Sequence, residues 1–175
     1  PIALLPLLTD SEHHKIIVEW NRTKADYPKD KCVHHLIEEW AAKTPDSIAV
    51  VFENDTLTYR ELNEKSNHLA HYLMSIGVGS HTYVGICLER SICMIVGILG
   101  ILKAGGAYVP LDPLYPKKRL AFMLEDTQSP VLLTEKNLIS CLPVEYTGKT
   151  ICLEEIPHII SGEQIANPNP GLHPE

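Results

Sequence analysis

Residues 102–116 read LKAGGAYVPLDPLYP, and their order sets the fold class. The stretch opens on the end of an apolar helix that Ser91 can cap and that runs from Ile92 to Ala104. Gly97 and Gly100 each cost this helix about 1 kcal/mol of propensity relative to Ala, which implies close packing against a neighbour. Gly105 and Gly106 stop it. Ala107, Tyr108 and Val109 read as a short strand, which the Pro and Asp residues from 110 to 113 terminate. Pro116 suits a first helical turn, and Leu120, Met123 and Leu124 give the helix that follows an inner face. Further out, 83–88 and 131–134 read as buried strands, 135–141 as a short helix and 150–153 as a last strand. Strand and helix alternate from 83 to 153, which implies parallel strands joined by crossover helices. The expected fold class is α/β, a helix–sheet–helix layering around a largely parallel sheet.

The N-terminal half adds a β-hairpin and three helices. Thr9 and Glu12 form a capping box for a helix to about Trp20, with Ile16, Ile17 and Trp20 as its apolar face. Residues 21–31 are polar and read as a linker. Val33, Leu36, Ile37, Trp40 and Ala41 recur at helical spacing, and Pro45 and Asp46 end that run. Residues 48–52 and 56–59 are the two strands of the hairpin, turning at Glu53-Asn54-Asp55. Thr58 and Glu61 form a second capping box. Leu62, Ser66, Leu69, Leu73 and Ile76 lie along one face of the helix it starts, Arg60, Glu64, Lys65, Asn67 and His71 cover the others, and Gly77 stops it.

Bulk composition narrows the classes. The chain has 175 residues, 45% hydrophobic and 21% charged, with net charge −7. That suits a globular domain with a core and argues against a nucleic-acid partner. The one basic run, Lys117-Lys118-Arg119, reads as a solvated helical turn. Cys32, Cys87, Cys93, Cys141 and Cys152 are odd in number and irregularly spaced, so reduced cytoplasmic thiols are expected, with Cys87, Cys93 and Cys152 acting as small hydrophobes. The apolar opening PIALLPLL lacks a basic leader and a cleavage site, and the run from Ile92 to Leu102 is too short to span a membrane. Neither a signal peptide nor a membrane segment is expected. The start at Pro1 rather than Met suggests a piece of a longer protein.

The chemical motifs are weak. Gly148-Lys149-Thr150 has Pro143 where a phosphate loop needs glycine, and it leads into a strand rather than a helix. His34-His35 and the His68/His71 pair lack the further ligands a metal site needs and read as surface histidines. Ser91 has no nucleophile elbow and reads as a helix cap. Glu89 and Arg90 either pair or sit at a strand's exposed end. Asp112 lies where open α/β sheets face their ligands, although a turn-forming role suits it better.

Together these residues resemble the adenylation domains of nonribosomal peptide synthetases, within the adenylate-forming, AMP-binding superfamily. Leu57-Thr58-Tyr59-Arg60-Glu61-Leu62 with Asn63 and Leu69-Ala70 is similar to the first core motif, and residues 102–113 with Tyr115 to Leu120 to the second. Val84-Gly85-Ile86, Glu89-Arg90-Ser91 and Val131-Leu132-Leu133-Thr134 match in order and spacing. Trp20-Asn21-Arg22-Thr23 with Tyr27-Pro28 is similar to the linker after a condensation domain.

The resemblance implies a linker over 1–31, the N-terminal part of an adenylation domain over 32–160, and a Pro-rich linker over 161–175 leading to a phosphate loop. It implies an amino-acid-activating ligase that forms aminoacyl-AMP from an amino acid and ATP with Mg²⁺. The acyl group then passes to a carrier protein's phosphopantetheine. It implies an upstream condensation domain, the downstream remainder of the adenylation domain and a carrier protein as partners, with no nucleic acid or membrane. No catalytic, cofactor-binding or metal residue carries over, because the family's matching positions fall outside these residues. The chain alone is therefore expected to be inactive and to bind no cofactor tightly. A non-catalytic interaction module and an acyl-CoA synthetase-like acid activator are the alternatives.

Overall fold

The computed structural model of the chain describes residues 7–155 and 165–171. They belong to two units that divide between Asp30 and Lys31. In the first, α1 (Asp10–His14) opens on the expected capping box: the Thr9 hydroxyl accepts from the Glu12 amide, and the Glu12 carboxylate accepts from the Thr9 amide. The helix then widens into a π-helical turn, Lys15–Glu19, which the Trp20 amide closes onto the Lys15 carbonyl. The Asn21 side-chain amide donates to the carbonyls of Ile16 and Ile17 at 2.8 and 3.0 Å. An α-helix would have paired those carbonyls with backbone amides. Ile17 and Trp20 remain exposed.

The second unit starts with α2 (Val33–Lys43). Its contact face is rotated by one residue from the expected stripe. Ile37 packs near Leu57, Leu62 and Leu99, but Val33 and Trp40 are exposed and His34 is the buried residue. The hairpin β1 (Ile48–Phe52) and β2 (Asp55–Thr58) is antiparallel and turns at Glu53, whose φ is 53°. β2 feeds into α3 (Tyr59–Ser75), which opens on the Thr58/Glu61 capping box and ends before Gly77, at φ 93°. The left-handed conformation there is what glycine supplies at a helix end.

α3 packs on α4 (Ile92–Lys103). A Cβ at Gly100 would lie 2.5 Å from Leu69, so the absent side chain is what lets the two helices meet. Cys93 and Ile95 leave one side of α4 open to solvent, so the helix is less enclosed than its composition implies.

β3 (Tyr83–Cys87), β4 (Ala107–Pro110), β5 (Val131–Thr134) and β6 (Lys149–Cys152) form one parallel sheet in the order β4-β3-β5-β6. Val84, Ile86, Val131, Leu133 and Ile151 face α3 and α4. Cys87 and Leu132 face Leu120 and Leu124 of α5 (Lys117–Asp126). Both faces are thus covered, which explains the continuous apolar strands. α4 joins β3 to β4 and α5 joins β4 to β5 from opposite faces. Right-handed crossovers require that when the strand order reverses. Residues expected as a short helix after β5 form a 3₁₀ helix, Lys136–Cys141.

Candidate functional site

The reversal of strand order falls between β3 and β5, and a ligand crevice in such sheets opens beyond the carboxyl ends of the strands there. A cleft of about 650 Å³ opens one strand over, at the carboxyl ends of β3 and β4, walled by Leu88, Glu89, Arg90, Asp112, Tyr115 and Arg119 among others. Asp112 serves its own turn: its carboxylate accepts from the Leu114 amide at 2.9 Å and its carbonyl from the Tyr115 amide at 3.0 Å. Arg119 stacks on Tyr115, 4.2 Å from the ring centroid, so the basic run has one member engaged. Ser91 caps α4, its hydroxyl accepting from the Met94 amide and donating to the Glu89 carbonyl, both at 3.2 Å. Burial, followed by the Glu154 and Glu89 carboxylates, holds Glu135 above the usual carboxylate range. The cleft thus has a turn former and mixed charges in its walls, with the α4 cap next to Arg90.

The other tempting motifs are engaged elsewhere. Gly148 is in the turn before β6, and Lys149 sits over the Tyr72 ring at 5.4 Å. His71 bonds the Ala166 carbonyl at 2.9 Å, while the Nε2 of His68 is enclosed without a partner among the described residues. His34, expected on the surface, is 3% exposed. Cys32, His34 and His35 do gather, with ligand atoms within 4.8 Å of one another. The His35 Nδ1 accepts from the Cys32 amide at 3.2 Å across the first turn of α2.

The most developed polar constellation is one that pattern reading passed over. Lys103, in the last turn of α4, is 0% exposed. Its ammonium donates to Asn63 Oδ1 and Asn67 Oδ1, each at 2.6 Å, and pairs with Glu38 Oε1 at 3.0 Å. Asn67, expected on an outer face, is buried because residues 165–167 cover it. Burial pushes Lys103 below the usual lysine range, and the Glu38 carboxylate opposes the shift. Burial likewise lowers His34, followed by His35, with Glu38 opposing and Lys103 reinforcing. The available signal was a single lysine closing an otherwise apolar helix, together with two asparagines one turn apart.

Three comparisons bear on this arrangement. The family model described as AMP-binding enzyme matches residues 37–170, which span the whole sheet and the lysine hub. A linear gramicidin synthase of Brevibacillus parabrevis is 49% identical over 167 residues, 95% of this chain and 3% of that protein. Among solved structures, the nonribosomal peptide synthetase FmoA3 superposes with a TM-score of 0.79 at 29% identity, over 89% of this chain and 16% of that one. The N-terminal subdomain of Klebsiella oxytoca NpsA in complex with 3-hydroxybenzoyl-AMSN shares the fold, at a TM-score of 0.71 and 22% identity, over 83% of this chain and 36% of that one. The chain therefore spans a small part of the relatives it matches.

Proposed function

The chain belongs to the AMP-binding enzyme family, and from that premise we propose that it is the N-terminal part of an amino-acid-activating domain of a peptide synthetase. In the reaction of the whole protein, the amino acid's carboxylate attacks the α-phosphorus of ATP, forming the acyl–phosphate bond as pyrophosphate leaves. A phosphopantetheine thiol on a carrier domain then attacks the acyl carbon and releases AMP. Mg²⁺ accompanies the nucleotide. Lys149 lies over the Tyr72 ring, Ser91 caps α4 and Asp112 holds a turn, and the proposal gives these residues no nucleotide or metal to bind. No step is assigned to them, and their role is scaffold.

The observation that supports this reading most is the match over 37–170, which covers the four parallel strands and residues 165–170 of the tail. The reading extends to an upstream condensation domain approached through residues 7–30, whose exposed Ile17 and Trp20 offer an apolar docking face. It also extends to a cytoplasmic setting. Among the described residues no helix is long and apolar enough to cross a membrane. Amino-acid-dependent exchange of pyrophosphate into ATP tests the proposal. Exchange by the 175-residue chain alone would refute the scaffold role. Thioester formation on coenzyme A from a fatty or aryl acid by the whole protein would favour the acyl-CoA synthetase reading.

A further inference from the structure

We propose that Lys103 is a positioning residue, whose buried ammonium orients the amides of Asn63 and Asn67 so that they hold residues 165–171 against α3. An ammonium carries three donors and no acceptor. Lys103 meets three oxygens, on Asn63, Asn67 and Glu38. Each asparagine amide therefore has its oxygen turned toward the lysine and its NH₂ turned away. A flipped amide would aim N–H groups at a cation.

The NH₂ groups thus directed are the ones that grip the tail. Asn63 Nδ2 donates to Asn167 Oδ1 at 2.8 Å. Asn67 Nδ2 donates to the same oxygen at 2.9 Å and to the Ile165 carbonyl at 2.6 Å. His71, one turn further along α3, bonds the Ala166 carbonyl. Beyond Asn167 the segment passes the turn after α4, where a Cβ at Gly105 would meet Pro170 at 3.4 Å. Pro168 and Pro170 stiffen it, so fixing its first residues fixes its path to Gly171. Lys103 touches no atom of the tail in these bonds; it acts through the two amides.

The inference rests on the reading under Proposed function, and the family resemblance implies a phosphate-binding loop after this segment. Its test needs neither nucleotide nor amino acid, so failure of the exchange assay and failure of this proposal are separate results. Backbone ¹⁵N order parameters are measured for Ile165, Ala166, Asn167, Asn169 and Gly171 in the 175-residue chain, alongside urea midpoints. In the parent chain the segment should approach the rigid value of about 0.85. Lys103→Met combined with Glu38→Leu removes both charges, and replacing a buried pair by apolar groups is often neutral or stabilising. The tail should nevertheless fall below about 0.6, the flexible range, with α3 and α4 unchanged. A purely structural lysine would move stability and tail order together. Asn67→Asp is the second variant: it keeps an oxygen for Lys103 and removes the donor to Ile165 and Asn167, and it should free the tail as well. A folded charge-free variant with a rigid tail, a rigid tail in Asn67→Asp, or a parent chain whose tail is already flexible would each overturn the proposal.

Discussion

Gly100→Ala should destabilise the chain, although the same change in an ordinary helix interior gains about 1 kcal/mol. The new Cβ would sit 2.5, 2.6 and 2.9 Å from the Cδ2, Cγ and Cβ of Leu69. A clash with a side-chain tip alone is relieved by rotation. Here the contact reaches the Leu69 Cβ, which moves only with the backbone of α3. Leu69 is 1% exposed and belongs to the cluster with Leu73, Val84 and Ile101, so it has no empty rotamer to enter. Overpacking of this kind costs about 1–3 kcal/mol, and the number of close contacts places this site at the upper end. After the propensity gain, a net loss of about 2 kcal/mol remains, or a fall in Tm of roughly 4–8 °C for a chain of this size. Urea unfolding followed by far-UV circular dichroism measures it, with the m-value checked for constancy. Gly79→Ala is the control: its Cβ meets nothing within 4 Å and its φ is not positive. It should gain about 0.4–1 kcal/mol through the unfolded state. A Gly100→Ala midpoint at or above that of the parent chain would refute the close-approach argument.

Two further outcomes are expected. Thr58→Ala removes the hydroxyl that accepts from the Glu61 amide at 3.2 Å and should cost about 1 kcal/mol by urea unfolding, whereas Thr58→Ser should cost a few tenths. His34 is held below the usual imidazole range, first by burial and then by His35 and Lys103 against Glu38. Its folded form is neutral where an unfolded histidine, with a pKa of about 6.5, takes a proton. The stabilisation is therefore present above pH about 6.5 and is lost as pH falls through the folded value. The urea midpoint should drop between pH 7.5 and 5.5 by less in His34→Gln than in the parent chain, and equal drops would show that His34 does not titrate this way.

Legibility followed the range of the interactions. The Thr58/Glu61 box, the Gly77 stop and the Ser91 cap span at most a few residues, and each stands where the local pattern placed it. The parallel sheet was also legible, because strands covered on both faces are apolar throughout and helices separate them. The polar interior was not. Asn67 bonds a carbonyl 98 residues away, and helical periodicity sorts only apolar side chains to the inside. The same limit hid His34 and Lys103. It also rotated α2: with Glu38 turned toward Lys103, Val33 and Trp40 face outward. In the first unit the helix that its cap and pattern made regular widens into a π-helical turn whose Ile16 and Ile17 carbonyls accept from the Asn21 side chain, a contact that periodicity does not encode. The cleft opens beyond β3 and β4, one strand over from the reversal of strand order, and the turn and cap duties of Asp112 and Ser91 rest on hydrogen bonds that residue order alone does not fix.

The central claim is that these residues are the scaffold of an amino-acid-activating domain whose chemistry needs the rest of the protein. Amino-acid-dependent ATP–pyrophosphate exchange tests it most directly, measured on the whole protein encoded by the gene that carries this sequence and on the 175-residue chain alone. The account predicts exchange with at least one amino acid for the whole protein and none for the chain. Exchange by the chain alone, or its absence from the whole protein with every amino acid, would contradict it.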